Sequence, residues 1–149
     1  FHSFVFYYQK WNLFRKFILL GRYKSDIDEV IDSNLFRRTV GNKIICNKYP
    51  NLKIEFLTIH SSKGLGYDNV ILLNALDKKR GFPSQITTPP LVAILNTSTQ
   101  NEYEEERRLF YVAITRTKNK VYIMCPSKFK DISSFVKEIM NNKHVLKKH

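Results

Sequence analysis

The stretch KIEFLTIHSSKGLGYDNVILL, Lys53 to Leu73, carries two apolar runs separated by a short polar segment. Lys53 to Ile59 is β-branched and apolar enough for a strand. Val70-Ile71-Leu72-Leu73 is apolar without alternation, the pattern of a strand covered on both faces. Strands of that kind belong to parallel sheets flanked by helices. Between the runs, Thr58, His60, Ser61, Ser62, Lys63, Gly64 and Gly66 place small hydroxyls, an imidazole and a cation just past a strand's carboxyl end. In α/β sheets that is where ligands bind. The spacing leaves two readings open: a phosphate-contacting loop, or an ordinary strand-to-helix connection with a serine cap.

Upstream, Phe17-Ile18-Leu19-Leu20 is a short buried strand stopped by Gly21. Ser25 precedes Asp28 as in a capping box, and Ile27, Val30, Ile31 and Leu35 recur at helical spacing, which predicts a helix over 26–37. Residues 1–16 are aromatic and basic and lean towards a helix of the same domain. Downstream, 76–101 holds Lys78-Lys79-Arg80, Gly81, Pro83, Pro89 and Pro90 and reads as a long loop, a feature that is often functional. Lys78-Lys79-Arg80 reads as solvated, with phosphates as the alternative neighbour. Glu102 to Thr115 is a helix whose acidic first turns suit the macrodipole, with Glu104 and Arg108 spaced to pair. Val121 to Cys125 is a strand. Ile132, Phe135, Val136, Ile139 and Met140 mark a final amphipathic helix, and 141–149 is a basic tail. The expected fold is therefore one α/β domain over 17–140 with a largely parallel sheet.

Composition narrows the function. An apolar fraction of 43% over 149 residues supports a real core. Twenty-five Lys and Arg against 13 Asp and Glu leave a net charge of +12, which favours polyanionic partners. Cys46 and Cys125 lie far apart, which argues against a zinc site and a disulfide framework and fits reduced thiols in a cytosol. No apolar run approaches the ~20 residues of a membrane span. There is no Gly-x-x-x-x-Gly-Lys-Ser/Thr phosphate loop, no Gly-x-Ser-x-Gly elbow and no His-Glu-x-x-His. Asp28-Glu29 sits at a helix start rather than after a strand, so a dipole role suits it better than magnesium binding.

In the helix near the carboxyl end, Leu109, Val112 and Ala113 form an apolar stripe, and Arg116 falls almost in line with it. A guanidinium on such a stripe is costly unless it meets an anion. An acidic side chain of the same domain and a bound anion both satisfy that demand. Phe110 and Tyr111 are expected in the core, and the two cysteines are expected to be inert packing.

Taken together, Thr58 to Leu65 and Glu105 to Arg116 resemble motifs V and VI of superfamily 1 DNA helicases of the UvrD/Rep type. Leu19-Leu20-Gly21-Arg22-Tyr23 resembles motif IV, and Gly81-Phe82-Pro83-Ser84 a loop often found between V and VI. The combination is closest to the DNA helicase IV branch and runs from about Phe17 to Met124. The resemblance implies a RecA-like second motor domain without a Walker A loop. An N-terminal RecA-like motor domain of the same parent chain would hold most of the ATP and Mg2+, and single-stranded DNA would cross both domains. It further implies that Arg22 and Arg116 reach the γ-phosphate as arginine fingers and that Thr58, His60 and Ser61 touch the DNA backbone. Lys63 and Gly64 would shape the turn. The implied activity is that of an ATP-dependent 3′-to-5′ DNA helicase in the cytoplasm. The alternative is a stand-alone, non-catalytic remnant that binds nucleic acid through charge.

One position departs from the family. Where such helicases carry Glu after Gly-Leu, as an acceptor for the nucleotide ribose, this chain has Gly66. The carboxylate acceptor is gone.

Overall fold

The computed structural model describes residues 16–86, 99–142 and 145. Expectations for residues 1–15, for 87–98 of the long loop and for most of the basic tail lie outside them. Six strands form one mixed sheet: β1 Lys16–Gly21, β2 Phe36–Arg38, β3 Lys43–Cys46, β4 Lys53–Thr58, β5 Tyr67–Leu72 and β6 Thr117–Ile123. Their order across the sheet is β2-β3-β4-β1-β5-β6. The four strands β4, β1, β5 and β6 run parallel, and β2 and β3 extend the sheet as antiparallel neighbours. This is the largely parallel α/β arrangement expected from the strand patterns and the RecA-like one implied by the resemblance, with an antiparallel edge in addition.

Alternation along the central strands builds two cores. Ile18, Leu20, Val70 and Leu72 face one layer, where they meet Leu109, Phe110 and Ala113 of helix α2 (Thr99–Thr115) and Phe135 and Val136 of helix α3 (Ser134–Ile139). Phe17, Leu19, Ile71 and Leu73 face the other, with Ile27 and with Val30 of helix α1 (Asp28–Asp32). A strand buried on both faces needs no polar positions, which is why Val70 to Leu73 reads as a continuous apolar run.

Four expectations change. The helix predicted over 26–37 is a 3-10 turn, Lys24–Ile27, leading into the short α1, and residues 36–38 are strand instead. Asn34 takes the left-handed conformation at φ 58°, the usual way a helix is stopped. The capping carboxylate is Asp26 rather than Asp28, and its Oδ2 accepts the Tyr23 N–H at 2.9 Å. Tyr111, expected in the core, is 66% exposed, whereas Phe110 packs against Phe82 and Phe135. The loop after β5 is also less open than its composition suggests. Phe82 is completely buried, and Leu76 bridges to Ile132.

Ser133 occupies the N-cap of α3, yet its side chain caps nothing and its hydroxyl is buried without a partner. A working serine cap is worth ~1 kcal/mol, whereas an unsatisfied buried hydroxyl costs ~1–3 kcal/mol. Ser133→Ala should therefore leave the melting temperature unchanged or raise it, by about 2–4 °C for each kcal/mol recovered in a domain of this size. A clear fall on thermal denaturation would show that the hydroxyl is bonded after all.

Candidate functional site

The carboxyl ends of β1 and β4 lie side by side, since Gly21 pairs with Thr58 in parallel register and the Ile59 N–H donates to the Gly21 carbonyl at 2.9 Å. At this end the chain turns twice. After β4 it enters a 3-10 turn, His60–Ser62. There the Thr58 and Ser61 hydroxyls hydrogen-bond each other at 2.9 Å, and the Ser61 N–H donates to Thr58 Oγ1 at 3.3 Å. Ser62 is buried and donates to the Ile59 carbonyl at 2.8 Å, so it is a structural serine. Thr58, His60 and Ser61 are brought together. They present hydroxyls and an imidazole to solvent, a set suited to phosphate oxygens.

After β1 the chain turns at Gly21. A Cβ there would stand 2.8 Å from Asp26 Cβ and 2.9 Å from the Tyr23 carbonyl oxygen, so only glycine admits the turn closed by Asp26. That turn aims Arg22 at helix α2. Glu106, with its side chain only 8% exposed, accepts hydrogen bonds from Arg22 Nε at 2.9 and 3.1 Å and from Nη2 at 2.6 Å. It also accepts the Ser84 N–H at 2.9 Å. Ser84 reaches Glu106 because its loop folds back at Gly81, where any Cβ would lie 2.1 Å from the Leu76 carbonyl oxygen. Burial works against the Arg22 charge, but the hydrogen bonds and charge of Glu106 outweigh it and hold the guanidinium above its ordinary pKa. His60 feels the reverse. Partial burial, then the charges of Arg22 and Lys63, press its imidazole below the usual histidine value.

Arg116 lies at the other end of the sheet. It follows α2 directly, and its carbonyl accepts the Tyr67 N–H at 2.9 Å where β5 begins. Its Nε donates to the Val112 carbonyl at 3.2 Å, capping the helix terminus, where a cation also suits the macrodipole. Among the described residues it has no acidic partner. Gly66 and Lys118 share this end, and a Cβ added at Gly66 would sit at an ordinary 3.5 Å from Lys118 Cε. The crossover 59–66 and α2 connect the two ends. A depression of about 310 Å³ between them is lined by Lys63, Glu104, Glu105, Arg108, Leu109 and Val112. Two carboxylates offset its two cations, so it has no strong preference for an anion.

The structure ties Arg22 to Glu106 and Arg116 to the Val112 carbonyl, towards opposite ends of the sheet. From Lys16, level with the start of β5, to Arg22 is six strand residues, about 20 Å. Glu106 and Arg116 are ten residues apart along α2, about 15 Å. In this arrangement the Arg22 guanidinium is held on Glu106. Sequence reasoning missed Glu106, which looks like one acid in an exposed run. Its signal was its place three residues before Leu109 on the apolar stripe. Glu104 and Arg108, expected to pair, approach only to 3.9 Å and are solvent-exposed, a contact worth little. Among the described residues no three His, Cys, Asp or Glu side chains converge as a metal site.

Residues 7–128 match the model of the UvrD-like helicase C-terminal domain. DNA helicase IV of Escherichia coli is 36% identical over 90 residues, covering 57% of this chain and 13% of that protein. The putative ATP-dependent DNA helicase YjcD of Bacillus subtilis is 35% identical over 74 residues, 50% of this chain and 9% of the relative. The ATP-dependent DNA helicase Rep of Buchnera aphidicola is 28% identical over 94 residues, 63% of this chain and 12% of the relative. The chain thus spans a small part of each of these proteins.

Glu106→Ala should destabilise the domain, because it strands a guanidinium and a backbone N–H. A fully buried pair costs ~3–5 kcal/mol to break, and the 21% exposure of Arg22 reduces this to ~2–3 kcal/mol. Adding Arg22→Leu should recover part of the loss. A double-mutant cycle in urea measures the coupling, and additive effects would show the pair to be inconsequential.

Proposed function

The chain belongs to the UvrD-like helicase C-terminal domain family, and from that premise we propose that it is the second motor domain of an ATP-dependent 3′-to-5′ DNA helicase. Single-stranded DNA lies across the carboxyl ends of β1 and β4, with Thr58, His60 and Ser61 on its backbone. ATP and Mg2+ are held mainly by an N-terminal RecA-like motor domain that docks against the opposite end, where Arg116 faces the γ-phosphate. The observation that carries this reading is the separation of the two residue sets. Hydroxyls and an imidazole gather at one end of the sheet, and a guanidinium with no acidic partner among the described residues sits at the other.

The chemistry suits each place. Thr58 and Ser61 already share one hydroxyl proton, which leaves the other proton and the lone pairs for a phosphate oxygen. Such contacts position a strand without reading its sequence. Arg116 is oriented by its Nε bond to Val112, and its two Nη groups remain for charge that develops on the transferring phosphoryl group. The Gly66 position offers the ribose no carboxylate. Lys118 beside it supplies a second cation instead.

The isolated chain should bind single-stranded DNA weakly and without sequence preference. Its affinity should fall steeply with salt as counterions are released. A phosphate beside His60 favours the protonated ring, so binding takes up a proton. Affinity should therefore rise as pH falls towards the lowered pKa of His60, and His60→Gln should flatten that slope. Titrating one labelled oligonucleotide across salt and pH checks both, and salt-independent or sequence-selective binding would remove backbone contacts from consideration.

In a protein carrying this domain beside its N-terminal motor domain, Arg116→Ala should lower ATP turnover by roughly 10³–10⁵. Melting and nucleotide affinity should change little. Arg116→Lys should rescue poorly, since an ammonium lacks the planar fork. An Arg116→Ala protein that melts early yet turns over normally once folded would reduce Arg116 to a helix cap. The 149-residue chain alone should hydrolyse no ATP, because it carries no Walker A loop.

A further inference from the structure

Strand β6 opens with a β-bulge. Tyr67 pairs with Thr117 and Asn69 with Lys120, so β6 holds one extra residue at Lys118–Asn119. A bulge disrupts the ladder and leaves backbone groups to be satisfied by other means. Here side chains satisfy them. The Thr117 hydroxyl lies 3.1 Å from the Asp68 carbonyl oxygen and 2.9 Å from that of Lys120, and it accepts the Asn119 N–H at 3.3 Å. The Asn119 amide donates to Oδ1 of buried Asn69 at 3.1 Å. The kink is therefore pinned on both sides of Lys118.

Bulges recur beside functional sites, where they re-aim a side chain. The side chain re-aimed here crosses Gly66, with its Cε 3.5 Å from the place a Cβ would occupy. Lys118 is exposed and has no acidic partner among the described residues. Asp68, close by in sequence to Gly66, already accepts the Lys16 backbone N–H at 2.8 Å. Arg116, likewise without an acidic partner, lies two residues before Lys118, about 7 Å along an extended chain. One compact polyanion can meet both cations. A DNA strand fits less well, since its proposed contacts gather at the other end of the sheet. We infer that Lys118 binds the polyphosphate of the nucleoside triphosphate beside Arg116. The two divide the work. Arg116 meets charge that develops in the transition state. Lys118, a point charge on a flexible stem, attracts the polyphosphate equally before and during transfer, which lowers KM and leaves kcat alone. This rests on the proposed placing of ATP at this end and adds a binding residue to it.

The test uses a protein that carries this domain beside its N-terminal motor domain. Calorimetric titration with ATP, ADP and AMP, without DNA, is set beside steady-state turnover with DNA. Lys118→Gln should weaken ATP binding and raise KM about ten-fold, with kcat and melting temperature unchanged. The loss should shrink from ATP to ADP and nearly vanish for AMP, because it follows the number of phosphates. Lys118→Arg, which keeps the charge, should retain most of the affinity. Single-stranded DNA affinity should not change. Unaltered ATP binding in Lys118→Gln would overturn the inference. So would equal losses for ATP and AMP, a loss of DNA binding in place of nucleotide binding, or early melting with normal affinity once folded. Arg116→Ala separates this from the reading on which it rests. If Lys118→Gln weakens ATP while Arg116→Ala leaves turnover intact, the polyphosphate contact stands and the finger falls. If only Arg116→Ala has an effect, the finger stands and Lys118 falls. If neither variant has one, both fall.

Discussion

Two carboxylate oxygens of Glu106 join three segments that are remote in sequence: the end of β1, the loop after β5 and the middle of α2. Burying a carboxylate is expensive, and the expense is offset only when nearly every lone pair is used. Here a bidentate guanidinium and a backbone N–H use them. The arrangement holds only if each segment arrives in one geometry, so Gly21, Asp26 and Gly81 follow from the same requirement. Gly21 and Asp26 make the turn that aims Arg22, and Gly81 lets the loop fold back with Ser84.

Arg22 shows how a site residue and a structural residue can share one motif. Its guanidinium is engaged in the free domain, and releasing it towards a phosphate would leave Glu106 buried without its main partner. Arg22 stands against the Tyr23 ring, and, after burial, its charge does most to lower the pKa of His60. Arg116 is held more loosely, by one bond to a carbonyl at the end of its helix. Arg22 is bonded through Nε and Nη2, whereas Arg116 keeps its Nη donors in reserve.

The sheet separates the two chemistries by its own length. Parallel strands send their carboxyl ends to one side, so residues that end β1 and β4 cluster there, and residues that begin β5 and β6 cluster about 20 Å away. The crossover 59–66 and helix α2 span that distance beside one another. This is why motifs V and VI, each continuous in sequence, contribute to both ends.

Much of this was legible in the sequence. The apolar runs at 17–20 and 70–73 gave the parallel core strands, because a strand buried on both faces leaves no polar position. The stripe in 102–115 gave α2, and Thr58, His60 and Ser61 were recognisable as one exposed group, because local backbone geometry places them together. The helix predicted over 26–37 failed because a short apolar spacing fits a helix or a strand equally well, and Asn34 decided between them. What only the tertiary structure decided were the partnerships across long sequence separations. Glu106 and Arg22 are 84 residues apart, and nothing in the local pattern of either marks the other. That Arg22 and Arg116 occupy opposite ends, and that Lys118 crosses Gly66, likewise depends on strand order and loop path. Periodicity reports which face of an element is buried, but the choice of partner is made by the three-dimensional fold.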